Sequence, residues 1–527
     1  MPASFSLIAS IARADVVLRF RKTTTIVILL IIAGSMYLII PDVSTGNTLI
    51  QVDGARVIYN SEAIALGTAM TCSALLSIIG YYLVSNSLKR DILSRVGFIA
   101  AATPVTNAEY VLGKFFGNLL YLFGVMLACM VSAMLMFFVR GETFLNPFVF
   151  FEIYLWMILP GIVFCSATAI AFESLPKLSG RAGDLLFFFL WAFMLSFPAI
   201  MLENHPEAWW VQGLDMVGIV QVIHLTQENF HTTSMSIGFS EYDIAKAPIE
   251  FPGLVWSWSN VVFRMFTLIV PMVFVVLAWA GFHRFNPTRI KSSARHAGSN
   301  LLTRMNAMVK PLTRALEIVA SFRTQEKITI SFLNTIRADV VTTLASSPIT
   351  TVAIIIFACI SLFLDTVSLR SGVLPVVVVT LILALSDIAT RDHSSGMMSL
   401  LFTVPMVKRN YVFWKFSSAF IVTLCFTLIP MSRLLFVEPM SAVSLFIGSC
   451  FIASGATGLG ILTHSRKAFI GVFLMLLYVT LNSPKEPALD FAGFYGMTTP
   501  VIQLMYALIT LAIIAAAEVR FRFAIRH

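Results

Sequence analysis

The sequence predicts an all-α polytopic membrane protein, with about twelve transmembrane helices arranged as two parallel six-helix repeats. Three observations carry this expectation. Of 527 residues, 58% are hydrophobic and only 12% charged, with a mean hydropathy of +0.87; ordinary soluble domains are about 25% charged. The apolar residues gather into runs near the length of about 20 residues that a bilayer span needs. Two charged motifs recur in fixed register far along the chain. No soluble fold of this length buries so much apolar surface, which excludes a soluble enzyme, a disordered chain and a secreted disulfide scaffold.

The predicted spans fall near 24–40, 62–84, 115–139, 148–171, 185–201 and 260–282, then 349–364, 373–390, 416–437, 441–463, 468–481 and 501–517. The run 468–481 is the shortest of them. The first run ends at Pro41 without a small-residue cleavage site, so it reads as an uncleaved span rather than a signal peptide. Cys72, Cys129, Cys165, Cys359, Cys425 and Cys450 all lie in apolar stretches and read as small buried hydrophobes. They form neither a disulfide framework nor a zinc motif.

Lys and Arg set the topology. With the N-terminus inside, 29 of the 36 fall on inner segments. Outer loops hold only Arg56, Arg140, Lys246, Arg370 and Lys485, and Arg264 and Arg433 lie within spans. That bias places both termini in the cytoplasm. The net charge of +9 is then topological and calls for no nucleic-acid partner. The long outer segment 202–259 carries Trp209, Trp210, Trp256 and Trp258, as expected of an interfacial aromatic belt. The domains expected are a first six-span half, 1–283, a basic linker, 284–336, and a second six-span half, 337–527.

The repeat rests on two motifs. Arg13-Ala14-Asp15-Val16-Val17 returns as Arg337-Ala338-Asp339-Val340-Val341, each just before the first span of its half. Leu7, Ile11, Ala14 and Leu18 fall at helical spacing, with Arg13 and Arg19 off the stripe, as in an amphipathic helix lying on the inner leaflet. The longer motif reads R-D-x(12)-P-x(5)-Y-V-x(2)-K-F. It comprises Arg90, Asp91, Pro104, Tyr110, Val111, Lys114 and Phe115, and again Arg391, Asp392, Pro405, Tyr411, Val412, Lys415 and Phe416. All seven identities hold at an offset of 301 residues.

This second motif occupies the inner loop between the second and third spans, longer than the few residues of an ordinary connection. Val96, Phe98, Ile99 and Ala102 in one copy, and Met397, Met398, Leu401 and Phe402 in the other, form a short apolar helix that the following proline stops. A short exposed apolar helix held below the membrane is a docking element.

The stretch Ala101-Ala102-Thr103-Pro104-Val105-Thr106-Asn107-Ala108-Glu109-Tyr110-Val111-Leu112-Gly113-Lys114 resembles the loop after the second span in permeases of ABC type-2 transporters. The resemblance covers both halves. It implies a coupling helix that fits a groove on a nucleotide-binding subunit, and a surface helix before the first span. Gly396 matches a glycine common before that coupling helix, where the first copy has Arg95. With two halves in one chain, the resemblance implies a fused pseudo-dimer working as an exporter in a bacterial cytoplasmic (inner) membrane. ATP and Mg would then sit on a separate ATPase, with no cofactor on this chain. The coupling residues it implies are Arg90, Asp91, Pro104, Tyr110 and Lys114, with Arg391, Asp392, Pro405, Tyr411 and Lys415. Asp91 and Asp392 would pair with ATPase cations, and the tyrosines and lysines would anchor each loop at the leaflet boundary.

The sequence carries no phosphate loop of its own: Gly113-Lys114 is preceded by Ala108 where a glycine is required. No H-E-x-x-H, C-x-x-C or G-x-S-x-G occurs, and the scattered histidines, His205, His224 and His231 among them, predict no metal site. The chain is therefore not expected to be an enzyme. Arg264 and Arg433 are candidate intramembrane polar sites, or else snorkel to the outer headgroups. A secondary transporter of the major-facilitator kind is the alternative, with its own six-plus-six spans and long central loop. It fits less well, because the spans lack acidic coupling sites and the loop lacks that family's G-x(3)-D-x(2)-G-R pattern.

Overall fold

The computed structural model describes residues 2–21, 23–93, 96–175, 178, 180–205, 209–230, 235–253, 258–282, 332–346, 348–403, 405–483 and 486–526. The chain divides into two compact units, Met1–Ala294 and Arg295–His527. Most of the expected linker, with Arg95, His231, Trp256 and Lys485, lies outside the described residues.

In the first unit the helices are α1 (Pro2–Phe20), α2 (Thr23–Ile39), α3 (Ser61–Val84), α4 (Ser87–Leu93), α5 (Val96–Ala102), α6 (Asn107–Arg140), α7 (Pro147–Ser174), α8 (Arg181–Asn204), α9 (Ile219–Phe230), α10 (Trp258–Ile269) and α11 (Met272–Gly281). In the second unit they are α12 (Phe332–Ser346), α13 (Pro348–Phe363), α14 (Thr366–Leu385), α15 (Arg391–Ser394), α16 (Met398–Leu401), α17 (Pro405–Val437), α18 (Pro439–Thr463), α19 (Arg466–Asn482) and α20 (Pro500–Arg526). Residues 332–336, expected in the linker, already belong to α12.

Among the described residues, nine helical segments are long and apolar enough to cross a membrane: α3, α6, α7, α8, α10 with α11, α14, α17, α18 and α20. The chain is a helical multi-pass membrane protein. The runs expected at 24–40, 349–364 and 468–481 are helical too, but α2, α13 and α19 reach only 17, 16 and 17 residues.

One element departs from the all-α expectation. A three-stranded antiparallel sheet, in the order β2-β1-β3, joins β1 (Asn47–Val52), β2 (Ala55–Arg56) and β3 (Met235–Glu241). β1 and β2 turn through Asp53-Gly54, both at positive φ, as a two-residue hairpin turn requires. The sheet brings together two stretches read as outer loops. Leu49 of β1 packs on Gly67 of α3, where a Cβ would lie 2.6 Å from its side chain.

Local chemistry sets the helix starts around the inner loop of the first unit. Thr106 and Glu109 form a capping box at the head of α6, each side chain bonding the other's backbone N–H. Pro104 lies just outside this cap, and α5 ends at Ala102, as expected of a helix stopped by proline. In the second unit Pro405 instead opens α17, in the first turn, where a missing N–H costs nothing. The backbone then kinks at Asn410.

Two other expectations are corrected. The buried side of α1 carries Ala12, Asp15 and Arg19, while Ala14 and Leu18 of the expected apolar stripe are exposed. Of the six cysteines, Cys72, Cys129 and Cys165 are buried, whereas Cys359 and Cys425 are exposed. In a bilayer, an apolar side chain gains nothing by leaving lipid for the protein interior.

Candidate functional site

Four of the five motif residues in each unit converge on an aspartate from the helix before the first span. In the first unit, Lys114 Nζ on α6 lies 2.9 Å from Asp15 Oδ1 and 2.7 Å from Asp91 Oδ2. Tyr110 OH donates to the same Asp91 oxygen at 2.5 Å, and Arg90 pairs with Asp15. In the second unit, Lys415 Nζ lies 3.2 Å from Asp339 Oδ2 and 2.8 Å from Asp392 Oδ2. Tyr411 OH donates to Asp392 at 3.1 Å, and Arg391 Nη2 pairs with Asp339 at 2.6 Å. Lys114, Lys415, Asp15 and Asp339 are all buried.

The tyrosine rings extend each cluster to the last membrane helix of its unit. Tyr110 stacks on Phe282, just past α11, with centroids 5.3 Å apart and planes 9° from parallel. Tyr411 stacks on Phe521 of α20 at 4.8 Å and 9°. One cluster thus holds four elements together: the helix before the first span, the loop, the third span and the last span.

The short repeated motif by itself gives Asp15 and Asp339 no role; in the structure each is the buried counter-charge to the lysine and arginine of the longer motif. Burial pushes the Asp15 carboxyl up, but Lys114, Arg19 and Arg90 outweigh it and hold the group below the usual carboxylate range. Pro104 stands apart, exposed, and Pro405 sits at the start of α17. Asp91 and Asp392 are each paired with a lysine and a tyrosine of their own unit. The tyrosines and lysines are buried among protein groups.

What the loops expose is apolar. Val96 and Ile99 of α5 are 50% and 67% exposed, and Met397 and Leu400 around α16 are 48% and 60% exposed. Gly396 adopts φ +71 with open space around it, a conformation that disfavours any residue with a Cβ.

The far ends of α2 and α6 in the first unit, and of α13 and α17 in the second, carry a second matched arrangement. Arg140, the last residue of α6, bonds the carbonyls of Tyr37 (2.9 Å) and Ile40 at the end of α2. Arg433 of α17 bonds the carbonyls of Leu364 (2.7 Å) and Ser361 at the end of α13. Both cap the orphan carbonyls of a helix C-terminus. Beside them, Arg56 pairs with Glu142 and Arg370 with Glu438, each at 2.5 Å.

Arg264 is buried against protein groups. It is 1% exposed, and Nη1 donates to the Asp215 carbonyl at 2.6 Å. The Asp215 carboxylate accepts from the N–H groups of Gly218, Ile219 and Gln221 at the head of α9. Arg264 therefore pins the segment before α9 to α10. Among the described residues no group of three or more His, Cys, Asp or Glu could hold a metal ion.

Compared with known proteins, the chain matches no family model, no curated protein and no solved structure. The functional reading therefore rests on the site itself.

Proposed function

We propose that the chain is the membrane-spanning permease subunit of an ATP-binding cassette exporter, built as two parallel six-span halves. In this reading α2, α13 and α19 complete twelve spans, both termini are cytoplasmic, and the membrane is a bacterial inner membrane. A separate ATPase binds and hydrolyses ATP with Mg, and its closure is received by the two inner loops.

The observation that carries the reading is the cluster found in both units. It ties the loop to the helix before the first span, to the third span and to the last span. A force applied to the loop is thereby delivered to three membrane-associated elements at once. The polar motif residues, Arg90, Asp91, Tyr110 and Lys114 with Arg391, Asp392, Tyr411 and Lys415, transmit that force. The exposed Val96, Ile99, Met397 and Leu400 make the contact. An apolar knob seated in a partner's groove, backed by a buried ionic anchor, suits transmission of a push.

The test is co-purification from native membranes in mild detergent, with mass spectrometry and an ATPase assay. An ATPase subunit is expected to accompany the chain, and Ile99→Asp with Leu400→Asp to release it. A chain that purifies alone, with transport that follows an ion gradient, would replace this reading with a secondary transporter.

A further inference from the structure

The two loops share one anchoring cluster but differ in three features beside it. In the first unit α1 lies directly against the backbone of α6. A Cβ on Gly113 would sit 2.8 Å from Ile11 Cβ, and one on Gly117 would sit 3.1 Å from Asp15 Cβ and 3.4 Å from Ala12 Cα. A Cβ on Gly124 would sit 2.6 Å from the Phe20 ring. At the same register in the second unit stand Trp414, Ser418 and Cys425. Trp414 is buried there, and its Nε1 donates to the Thr335 carbonyl of α12 at 3.2 Å. The close backbone seam of the first unit is replaced by a bulky side chain.

The second difference lies beside the cluster. Arg19 Nη2 bonds Asn118 Oδ1 at 2.7 Å and the Val84 carbonyl at 3.0 Å, and Nη1 bonds the Leu83 carbonyl at 3.2 Å. Arg19 thus fastens α1 to the end of α3, where the loop begins. Thr343 and Ala419 occupy the corresponding places in the second unit, so arginine and its asparagine partner are exchanged together; one bond at 3.3 Å, from Arg391 Nη2 to the Thr343 hydroxyl, stands where Arg19 makes three across to α3 and α6. The third difference is at the end of the fourth span. The Glu173 carboxylate of α7 accepts from the N–H groups of Asn86, Ser87 and Leu88, which hold the head of α4. At the end of α18 stands His464, stacked on His393 of α15 at 4.5 Å.

We infer that the two loops differ in stiffness: the first unit holds its loop as a fixed bearing, and the second holds its loop as a yielding one. Resting on the permease reading, this means that an ATPase pair acting on both loops displaces the second further, so transport is driven mainly through residues 386–403.

Hydrogen exchange of the full chain in lipid nanodiscs tests the inference. Amides of 391–401 and 332–346 are expected to exchange about tenfold faster than those of 87–93 and 2–20. Arg19→Thr with Asn118→Ala is expected to raise exchange at 87–93 toward the level of the second loop. Thr343→Arg with Ala419→Asn is expected to slow exchange at 391–401. Equal exchange in the two wild-type loops would overturn the inference, as would exchanges that the paired substitutions leave unchanged. Where the first pair fails to fold, the wild-type comparison and the second pair still decide. None of these measurements requires an ATPase, so absence of that partner would sink the permease reading alone.

Discussion

Lys114 reaches Asp15 at 2.9 Å although 99 residues separate them, and Lys415 reaches Asp339 at 3.2 Å across 76. Each lysine is shared with a second carboxylate from the intervening loop, so the pair closes a ring of charge around the start of the third span. Removing one partner leaves the other buried in an unbalanced cluster: Asp15 keeps Arg19 and Arg90, and Lys114 keeps Asp91. Asp15→Leu and Lys114→Met are each expected to destabilise, by less than the ~3–5 kcal/mol of a buried charge left with no partner, because other partners remain. The double variant Asp15→Leu with Lys114→Met should recover part of that loss, read as a coupling energy from thermal unfolding in detergent. Additive losses would show that the pair does not act as a unit.

Tyr110 does two separable things. Tyr110→Phe keeps the stack on Phe282 and loses the bond to Asp91, an expected cost of about 1.5–3 kcal/mol for a bond to a charged group. Tyr110→Ala also loses the ring, which raises the expected cost to about 3–5 kcal/mol. Tyr411→Phe and Tyr411→Ala should show the same order. Equal losses for Phe and Ala would mean that the ring contributes nothing beyond its hydroxyl.

Burial pulls the His464 imidazole below its ordinary value of 6.5, and His393 and Arg520 add to the pull. The folded chain therefore binds the proton less readily than the unfolded one. The contribution of this group is fully present above pH 6.5 and is lost as pH falls through the folded value. Hydrogen exchange at 391–401 is expected to quicken below that pH, and His464→Gln to flatten the response. An unchanged pH profile in the variant would assign the effect to another group.

Arg140→Met and Arg433→Met each leave two carbonyls at a helix end without their donor. A loss of about 1.5–3 kcal/mol is expected for each, with fraying confined to the ends of α2 and α13. The check is exchange at 36–40 and 360–364 beside the unfolding temperature. Loss of stability without local fraying would show that the arginines act through something other than the caps.

Much of the membrane architecture is legible because hydropathy alone marks a run that must be helical in lipid. The offset of 301 also marks Arg90, Asp91, Tyr110 and Lys114 as one unit, since chance does not keep charged and aromatic residues in step. The sequence does not show which way they point. The resemblance implies that Asp91 and Asp392 pair with a partner's cations. The structure pairs them with lysines that only tertiary packing supplies. The sheet had a signal in Asp53-Gly54 after an apolar stretch, but its third strand comes from 235–241, too distant for a local pattern to reveal. The exposed Cys359 and Cys425 show that apolar composition marks the membrane but not the face of a helix within it.

α6 is held at one extremity to α1, by Lys114 with Asp15, and at the other to the end of α2, by Arg140 with Ile40; α17 is held likewise to α12, by Lys415 with Asp339, and to the end of α13, by Arg433 with Leu364. A rod held at both extremities by two helices that follow each other in the chain cannot slide along them. A helical slip advances by about 5.4 Å per turn, more than any of these bonds can stretch. Whatever motion these helices undergo must therefore carry each trio together, free to lean but not to shear.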